Sequence, residues 1–140
     1  MPHSDSDRAI ELLTSMPYGR IATSMRALPF LAVARHVVTE DGALLLRMHA
    51  GYGYHQACNG SVVAYETDNF NSADGLLWSV QATGEAHVVE PSAAELALFG
   101  PGPTEVEGEP FEPVHMRIDP QFFLVHTLKG SRERLLQHTV

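Results

Sequence analysis

Cysteine and basic residues are scarce in this 140-residue sequence. Cys58 is its one cysteine, so no internal disulfide can form. Lys and Arg total nine against seventeen Asp and Glu, which gives a net charge of −8. Proteins that hold a nucleic-acid backbone need clustered cations, so we expect no nucleic-acid partner.

Long apolar runs and linker-like stretches are also absent. No segment approaches the ~20 apolar residues that a membrane helix needs, and no basic segment followed by an apolar run marks a secretory signal. We therefore expect a cytoplasmic protein without a membrane partner. With 44% hydrophobic and 19% charged residues and no internal repeat, residues 1–140 are predicted to form a single globular domain.

Short apolar runs bounded by Gly, Pro and Asp dominate the sequence, and they predict strands. The clearest run, residues 77–89, alternates apolar and polar side chains, which excludes a helix there. Gly84 in its middle predicts a bulge or bend, and the pair Asp41-Gly42 predicts a tight hairpin turn. The other predicted strands are residues 19–24, 29–38, 43–48, 61–68, 114–118 and 122–127.

Helices are predicted at the beginning, the middle and the end of the chain. Residues 6–16 carry apolar side chains at helical spacing, Ser92 and Glu95 form a capping-box pattern, a short helical piece precedes Asn59, and a polar tail begins at Ser131. Residues 100–113 are rich in Gly, Pro and Glu and are predicted to be a loop. Its acidic part, residues 105–112, is interpreted as a solvated excursion, with a lid over a groove as the alternative. The whole pattern indicates a β-barrel or β-sandwich with helical additions.

Five stretches resemble, in their order and spacing, the pyridoxamine-phosphate-oxidase-like family of FMN-binding split barrels. They are residues 12–23 (LLTSMPYGRIAT), 42–47 (GALLLR), 60–68 (GSVVAYETD), 77–89 (LWSVQATGEAHVV) and 116–130 (MRIDPQFFLVHTLKG). The resemblance implies a mainly β fold, a six- to seven-stranded antiparallel split β-barrel with short flanking helices. It also implies a side-by-side homodimer with an FMN in each of two grooves between the subunits.

The resemblance further implies a set of cofactor-binding residues. In such relatives an Arg at the end of the third strand and the loop that follows hold the cofactor phosphate, and Arg47 stands at that position. A guanidinium can donate two parallel hydrogen bonds to phosphate oxygens, and glycines let the backbone approach closely. The implied cofactor-binding residues are Arg47, Met48, His49, Gly51, Tyr52, Tyr54, His55 and Ser79.

Two stretches depart from the family pattern. Many relatives carry a Lys or Arg in the phosphate loop, whereas this chain has Gly-Tyr-Gly-Tyr-His at residues 51–55. His49 and His55 could replace that cation when protonated. The second strand has Val-Ala-Arg-His at residues 33–36, where relatives often have a Pro and then an Asn near the flavin ring. These departures predict weak flavin binding or a different ligand in the groove.

Several of these residues also have a purely structural interpretation. Arg47 would otherwise be a solvated strand end, and Tyr52 and Tyr54 would be dimer contacts instead of stacking on a ligand ring. Trp78 is interpreted as a core residue, which leaves Ser79 on the opposite face of its strand as the ligand contact.

The metal-binding residue types do not form a recognisable motif. His49, His55 and Cys58 are types that bind zinc or haem, but their spacing matches no established metal site. We therefore predict no metal, and Cys58 is interpreted as a small buried hydrophobic residue.

The resemblance leads to two main functional hypotheses, with a structural dimer that has an empty groove as a third. The first is an FMN-dependent oxidoreductase of a small-molecule substrate, with a deazaflavin as a variant cofactor; no catalytic acid or base can be assigned. The second is a non-catalytic protein that binds or senses a flavin, haem or another small metabolite in the dimer groove.

Overall fold

The computed structural model describes residues 5–129, and the predicted tail helix from Ser131 lies outside them. A 3-10 turn over Ala50–Tyr52 links the third strand to the second helix. The elements in chain order are α1 Asp5–Thr14, β1 Tyr18–Met25, β2 Leu28–Val38, β3 Leu44–His49, α2 Tyr54–Cys58, β4 Val62–Asp68, β5 Leu76–Val88, α3 Ala93–Phe99, β6 Glu105–Val106, β7 Glu109–Pro110 and β8 Pro113–Lys129.

The six long strands form one closed antiparallel barrel in the order β1-β2-β3-β8-β5-β4. Closure pairs every strand on both sides, so the sheet has no free edge. The barrel prediction is confirmed with six strands, and the sandwich alternative is excluded. Within residues 5–129, no helix is long and apolar enough to span a lipid bilayer.

Alternate residues of the strands fill the barrel, as the period of two requires. Helix α1 packs Ala9 and Leu13, both fully buried, against the same core. The fully buried strand residues include Ile21, Leu46, Tyr65, Val80, Ala82 and Ile118.

The predicted bulge is present where β5 meets β8. Thr83 pairs with Phe122 and Gly84 pairs with Pro120, so the extra residue is Gln121 on the partner strand. A Cβ atom at position 84 would lie 2.1 Å from the carbonyl oxygen of Asp119. Glycine is therefore needed there because the backbone of β8 approaches so closely.

The last strand differs from its prediction. The sequence predicts separate strands at residues 114–118 and 122–127, but β8 runs unbroken through Pro120. Proline lacks the N–H that a regular ladder uses. It is tolerated here because it lies beside the bulge, where the ladder is already interrupted.

The local turn and cap predictions are confirmed. Gly42 has a φ of 82° in the turn that joins β2 to β3, which are antiparallel neighbours. The Ser92 hydroxyl accepts a hydrogen bond from the backbone N–H of Glu95, whose carboxylate accepts one from the N–H of Ser92. This capping box begins α3, and Gly100 ends it.

One polar cluster lies inside the barrel. His36 on β2 is 1% exposed, and its Nε2 donates to the carbonyl oxygen of Leu13 at 2.7 Å. The buried Tyr65 hydroxyl bonds Nδ1 of His36 and also reaches the carbonyl of Ala34. Burial, together with the charge of Arg35, lowers the pKa of His36, so the neutral ring is favoured.

Candidate functional site

A cavity of about 370 Å³ lies on the outer surface of the barrel, beside β2 and the end of β3. Its walls combine strand residues, the 3-10 turn and the segment between α3 and β8. The residues that line it are Tyr18, Leu31, Ala32, Val33, Ala34, Arg35, Arg47, Met48, His49, Tyr52, Tyr54, Pro103, Val106 and Phe111.

Four polar side chains form a row across neighbouring strands, and three of them line this cavity. Tyr18 pairs with Arg35 across β1 and β2, Arg35 pairs with Arg47 across β2 and β3, and Arg47 pairs with His115 across β3 and β8. Directly paired residues of a sheet project to the same face. The barrel therefore places two guanidinium groups side by side on its outer surface.

Arg47 is half-buried and incompletely bonded. Its Nη1 donates to the carbonyl oxygen of Gly100 at 3.1 Å, and its guanidinium carbon lies 5.2 Å from the centre of the Phe99 ring. Its Nε is buried without a hydrogen-bond partner. Burial and the neighbouring positive charge of Arg35 both lower the pKa of Arg47.

Arg35 is held by backbone carbonyl groups. Its Nη1 donates to the carbonyl oxygens of Pro17 and His36, and its Nη2 donates to that of Phe99 at 3.4 Å. Its guanidinium carbon also lies 5.9 Å from the centre of the Phe99 ring. The end of α3 thus supports both arginines, in agreement with the preference of cations for helix C-termini.

His115 completes the row. It lies 5.3 Å from the Phe99 ring, centre to centre, and its Nε2 is buried without a hydrogen-bond partner. Burial and the positive charge of Arg47 lower its pKa, which favours the uncharged form.

The segment 100–113 is more ordered than the sequence predicts. Its glutamates are exposed, as expected, but β6 and β7 pair into a short hairpin, and Val106 and Phe111 line the cavity. The Phe111 ring stacks on His49 with centres 5.6 Å apart. The prediction of a solvated excursion is confirmed for the exposed residues of the segment. The exceptions are Val106 and Phe111, which are partly buried and line the cavity.

His49 is fixed by this segment. Its Nδ1 accepts a hydrogen bond from the N–H of Glu112 at 3.1 Å, and its ring meets Tyr52 edge to face at 5.1 Å. Accepting that bond uses the lone pair of Nδ1. A Cβ atom at Gly51 would lie 2.5 Å from Nε2 of His49, so glycine leaves room for the ring.

The two tyrosines of the turn form an aromatic wall. Tyr54 stacks on Phe30 at 5.2 Å with ring planes 17° apart, and Tyr52 lies 5.6 Å from Tyr54. Gly53 between them has a φ of 75°, a backbone conformation that glycine adopts without strain. Partial burial and the bonded carboxylate of Glu107 raise the pKa of Tyr52.

Five of the eight predicted site residues line the cavity: Arg47, Met48, His49, Tyr52 and Tyr54. Gly51 lies against the His49 ring and does not line the cavity. His55 does not line it either, although its Nδ1 is buried without a hydrogen-bond partner. Ser79 is on β5, opposite Asp68 and His126, away from this cavity.

Cys58 has the structural role that the sequence predicts. It is fully buried among core residues, and burial raises the pKa of its thiol to about 11, which disfavours the reactive thiolate. Trp78 is partly buried and packs against the same core. Within residues 5–129, no three His, Cys, Asp or Glu side chains are grouped as metal ligands.

Sequence reasoning did not include Arg35 and Phe111 among the site residues. Arg35 could have been found, because counting outward from the Asp41-Gly42 turn along two antiparallel strands places it opposite Arg47. Phe111 gave no such signal, since its contact with His49 joins residues far apart in the chain.

Known proteins share the sequence pattern of this chain. The model of the family described as pyridoxamine 5'-phosphate oxidase matches residues 5–121. An uncharacterized protein of Mycobacterium tuberculosis, Rv0080, is 34% identical over 87 residues, which are 59% of this chain and 57% of that protein. The chain thus matches little more than half the length of that curated relative.

Solved structures share the fold. A FAD binding protein from Mycobacterium smegmatis has a TM-score of 0.70 at 22% identity, covering 92% of this chain and 98% of its own. A FAD-binding protein (mll6688) from Mesorhizobium loti has a TM-score of 0.62 at 13% identity, covering 90% and 96%. The closed six-stranded barrel and the match over most of the sequence agree, and this chain belongs to the pyridoxamine 5'-phosphate oxidase family.

Proposed function

We propose that this protein binds a flavin in the cavity beside β2 and β3 and works as an oxidoreductase of a small molecule. The observation that carries the proposal is the composition of the cavity, in which arginine side chains adjoin apolar and aromatic walls. A flavin nucleotide needs both, because its phosphate is anionic and its ring system is flat and largely apolar. The FAD-binding proteins of the same fold support the choice of ligand.

The residues present fit this group. Arg47 carries a buried Nε without a partner and can bind phosphate oxygens. Leu31 and Val33 are 63% and 68% exposed at the cavity, and Tyr52 and Tyr54 offer ring faces for stacking. FMN is the proposed form. When bound, the flavin would supply hydride transfer, and the chain would bind it, orient it and limit the access of water.

We further propose that the active form is a homodimer. Phe122 and Leu124 of β8 are 50% and 44% exposed, and they lie directly opposite Thr83 and Gln81 of β5, on the face that also carries Ser79. A second copy placed against this face would remove these two apolar side chains from water. Ser79 would then contact the ligand held by the partner rather than the one in its own cavity.

The binding proposal is tested by spectroscopy of the purified protein. We expect visible flavin absorption in the native protein, or binding of added FMN, FAD or a deazaflavin at micromolar concentration with quenching of ligand fluorescence. A colourless protein that binds none of these three would refute flavin binding. A sharp Soret band would identify haem instead.

One observation favours a second candidate, a non-catalytic binding or sensing protein. Residues 50–58 contain no Lys or Arg, and Nδ1 of His49 already accepts a hydrogen bond from a backbone N–H. The turn after β3 therefore offers few charged groups with which to bind a cofactor. Stopped-flow reduction of the flavin-loaded protein with NADH and NADPH separates the two candidates. Rapid reduction supports the oxidoreductase, and a bound flavin that neither donor reduces supports the carrier.

The dimer is tested with two matched surface variants. Leu124→Glu places a charge on the proposed interface, whereas Leu96→Glu places it on α3 at a side chain that is also 44% exposed. Light scattering after size exclusion should give a dimer for the parent and for Leu96→Glu, and a monomer for Leu124→Glu. A monomeric parent chain would exclude the dimer.

A further inference from the structure

We propose that the β6–β7 hairpin makes the cavity selective for cationic or neutral small molecules over anionic ones, through the carboxylates of Glu107 and Glu109. The two strands of the hairpin pair with each other and form a sheet apart from the barrel. The hairpin still belongs to the cavity, because Val106 within it and Phe111 directly after it are lining residues. It therefore carries its carboxylates to the rim of the cavity.

Glu107 and Glu109 both act on Tyr52, a lining residue that is 46% exposed. The Tyr52 hydroxyl donates a hydrogen bond to the carboxylate of Glu107, and the charge of Glu109 also acts on this hydroxyl. Desolvation, followed by these charges, raises the pKa of Tyr52, so the hydroxyl keeps its proton for the bond. Both glutamates are exposed, which places the negative charges where the cavity opens to water.

The charge of this rim is not balanced by cations of the described part of the chain. Residues 100–113 contain four glutamates and no Lys, Arg or His. Glu66, by contrast, pairs with Arg20 on the barrel. No ion pair between described residues includes a glutamate of the segment. Unpaired carboxylates beside a partly desolvated cavity attract a cation that enters it and repel an anion.

The positive groups of the cavity lie at a different place from this rim. Arg47 donates to the carbonyl oxygen of Gly100, where the segment begins, and rests on the Phe99 ring. The carboxylates lie at the hairpin, beside the turn after β3. A small molecule bound between the hairpin and the aromatic wall therefore meets negative charge first. That this molecule is the substrate rests on the proposed function, whereas the charge preference of the cavity does not.

The preference works in both directions. A carboxylate lowers the free energy of a bound cation and raises that of a bound anion, so two ligands of the same shape and opposite charge report the sum of both effects. A neutral ligand of that shape reports the contacts that do not depend on charge. Benzamidine, benzoate and benzamide form such a set, because each is a benzene ring with one planar substituent.

The first test is a ligand-observed NMR titration with these three compounds, with and without added FMN. The parent should bind benzamidine and benzamide more tightly than benzoate. Glu107→Gln should weaken benzamidine binding about threefold to tenfold, strengthen benzoate binding by about the same factor and leave benzamide within about twofold. Glutamine still accepts a hydrogen bond from the Tyr52 hydroxyl, so this variant removes the charge and keeps the contact.

Two control variants separate charge at the rim from charge on the whole protein and from the position of the hairpin. Glu40→Gln removes a charge of the same sign from another exposed turn residue, between β2 and β3, and should change none of the three affinities. Tyr52→Phe keeps both carboxylates but releases Glu107, so its benzamidine-to-benzoate ratio should lie between those of the parent and Glu107→Gln. Added salt should lower this ratio in the parent.

The outcomes separate this proposal from the proposed function. If the parent prefers benzamidine through Glu107 but binds no flavin, the proposed function fails and the charge preference stands. If a flavin binds but folded Glu107→Gln and Glu40→Gln give the same benzamidine-to-benzoate ratio, the charge preference is refuted and flavin binding stands. A parent chain that prefers benzoate under both conditions, or that binds none of the three compounds, also refutes it. Urea denaturation of each variant shows that it is folded.

Discussion

Adjacent residues of β2 belong to two polar clusters that are built in opposite ways. His36 points into the barrel, where a backbone carbonyl and the Tyr65 hydroxyl bond both ring nitrogens. Arg35 points outward to a row in which Arg47 and His115 each keep a buried nitrogen without a partner. A buried polar group is costly unless it is bonded, so the satisfied cluster is expected to stabilise the fold and the unsatisfied one to bind a ligand.

The largest expected effect is a loss of folding stability when the inner cluster is altered. His36→Ala should lower the free energy of unfolding by about 3 kcal/mol, because it leaves the Tyr65 hydroxyl without its partner and opens a cavity. Urea denaturation followed by circular dichroism measures the loss. Ligand affinity of the folded fraction should be unchanged. A loss below about 1 kcal/mol would contradict the stabilising role assigned to this histidine.

For the outer cluster we expect the reverse, a large effect on ligand affinity and a small effect on stability. Arg47→Gln should weaken FMN binding about tenfold to hundredfold, because a charge-assisted donor set is removed. The free energy of unfolding should fall by less than about 1 kcal/mol, since a helix C-terminus loses one favourable cation. Calorimetric titration and urea denaturation of the same samples test both statements. A large loss of stability with unchanged affinity would make Arg47 a structural residue.

The pH dependence of stability should reflect the inner histidine. Because its pKa is lowered in the folded protein, the unfolded chain binds the proton more readily below the ordinary histidine pKa of about 6.5. The free energy of unfolding therefore has its full value above that pH. It falls by about 1.4 kcal/mol per pH unit as the pH drops toward the pKa that His36 has in the folded protein. His36→Gln should reduce this slope and leave the part that comes from His115, whose pKa is also lowered; an unchanged slope would exclude a contribution from His36.

The smallest effect concerns the coupling between Arg47 and His115. Arg47→Gln removes a positive charge that lowers the pKa of His115, so this pKa should rise toward its ordinary value. NMR titration of the histidine ring protons measures the change, and Arg117→Gln is the control. No shift relative to that control would show that the two side chains are not electrostatically coupled.

Local patterns predicted most of the fold. The period of two in β5, the Asp41-Gly42 turn and the Ser92 capping box each depend on neighbouring residues, and all three are confirmed. The continuity of β8 through Pro120 was missed, because it depends on a bulge against β5 that is not encoded locally. The hairpin in segment 100–113 was missed because the ring contact that anchors the segment, Phe111 on His49, joins residues distant in the chain.

The candidate site was predicted only in part, for a similar reason. Arg47 and the glycine-spaced turn follow from the order of residues, and the cavity includes them. The role of Ser79 stays a prediction, since it depends on how two copies meet.

By itself, the sequence determined most strands, the turns and caps between them, and the position of Arg47 at the end of a strand, because period, turn chemistry and order are properties of neighbouring residues. The pattern left barrel and sandwich open, and the resemblance to a known family implied the barrel. Only the tertiary structure decided that Phe99 supports Arg35 and Arg47 and that Phe111 lines the cavity. These contacts join residues distant in the chain, and closure of the sheet and burial of apolar surface bring them together.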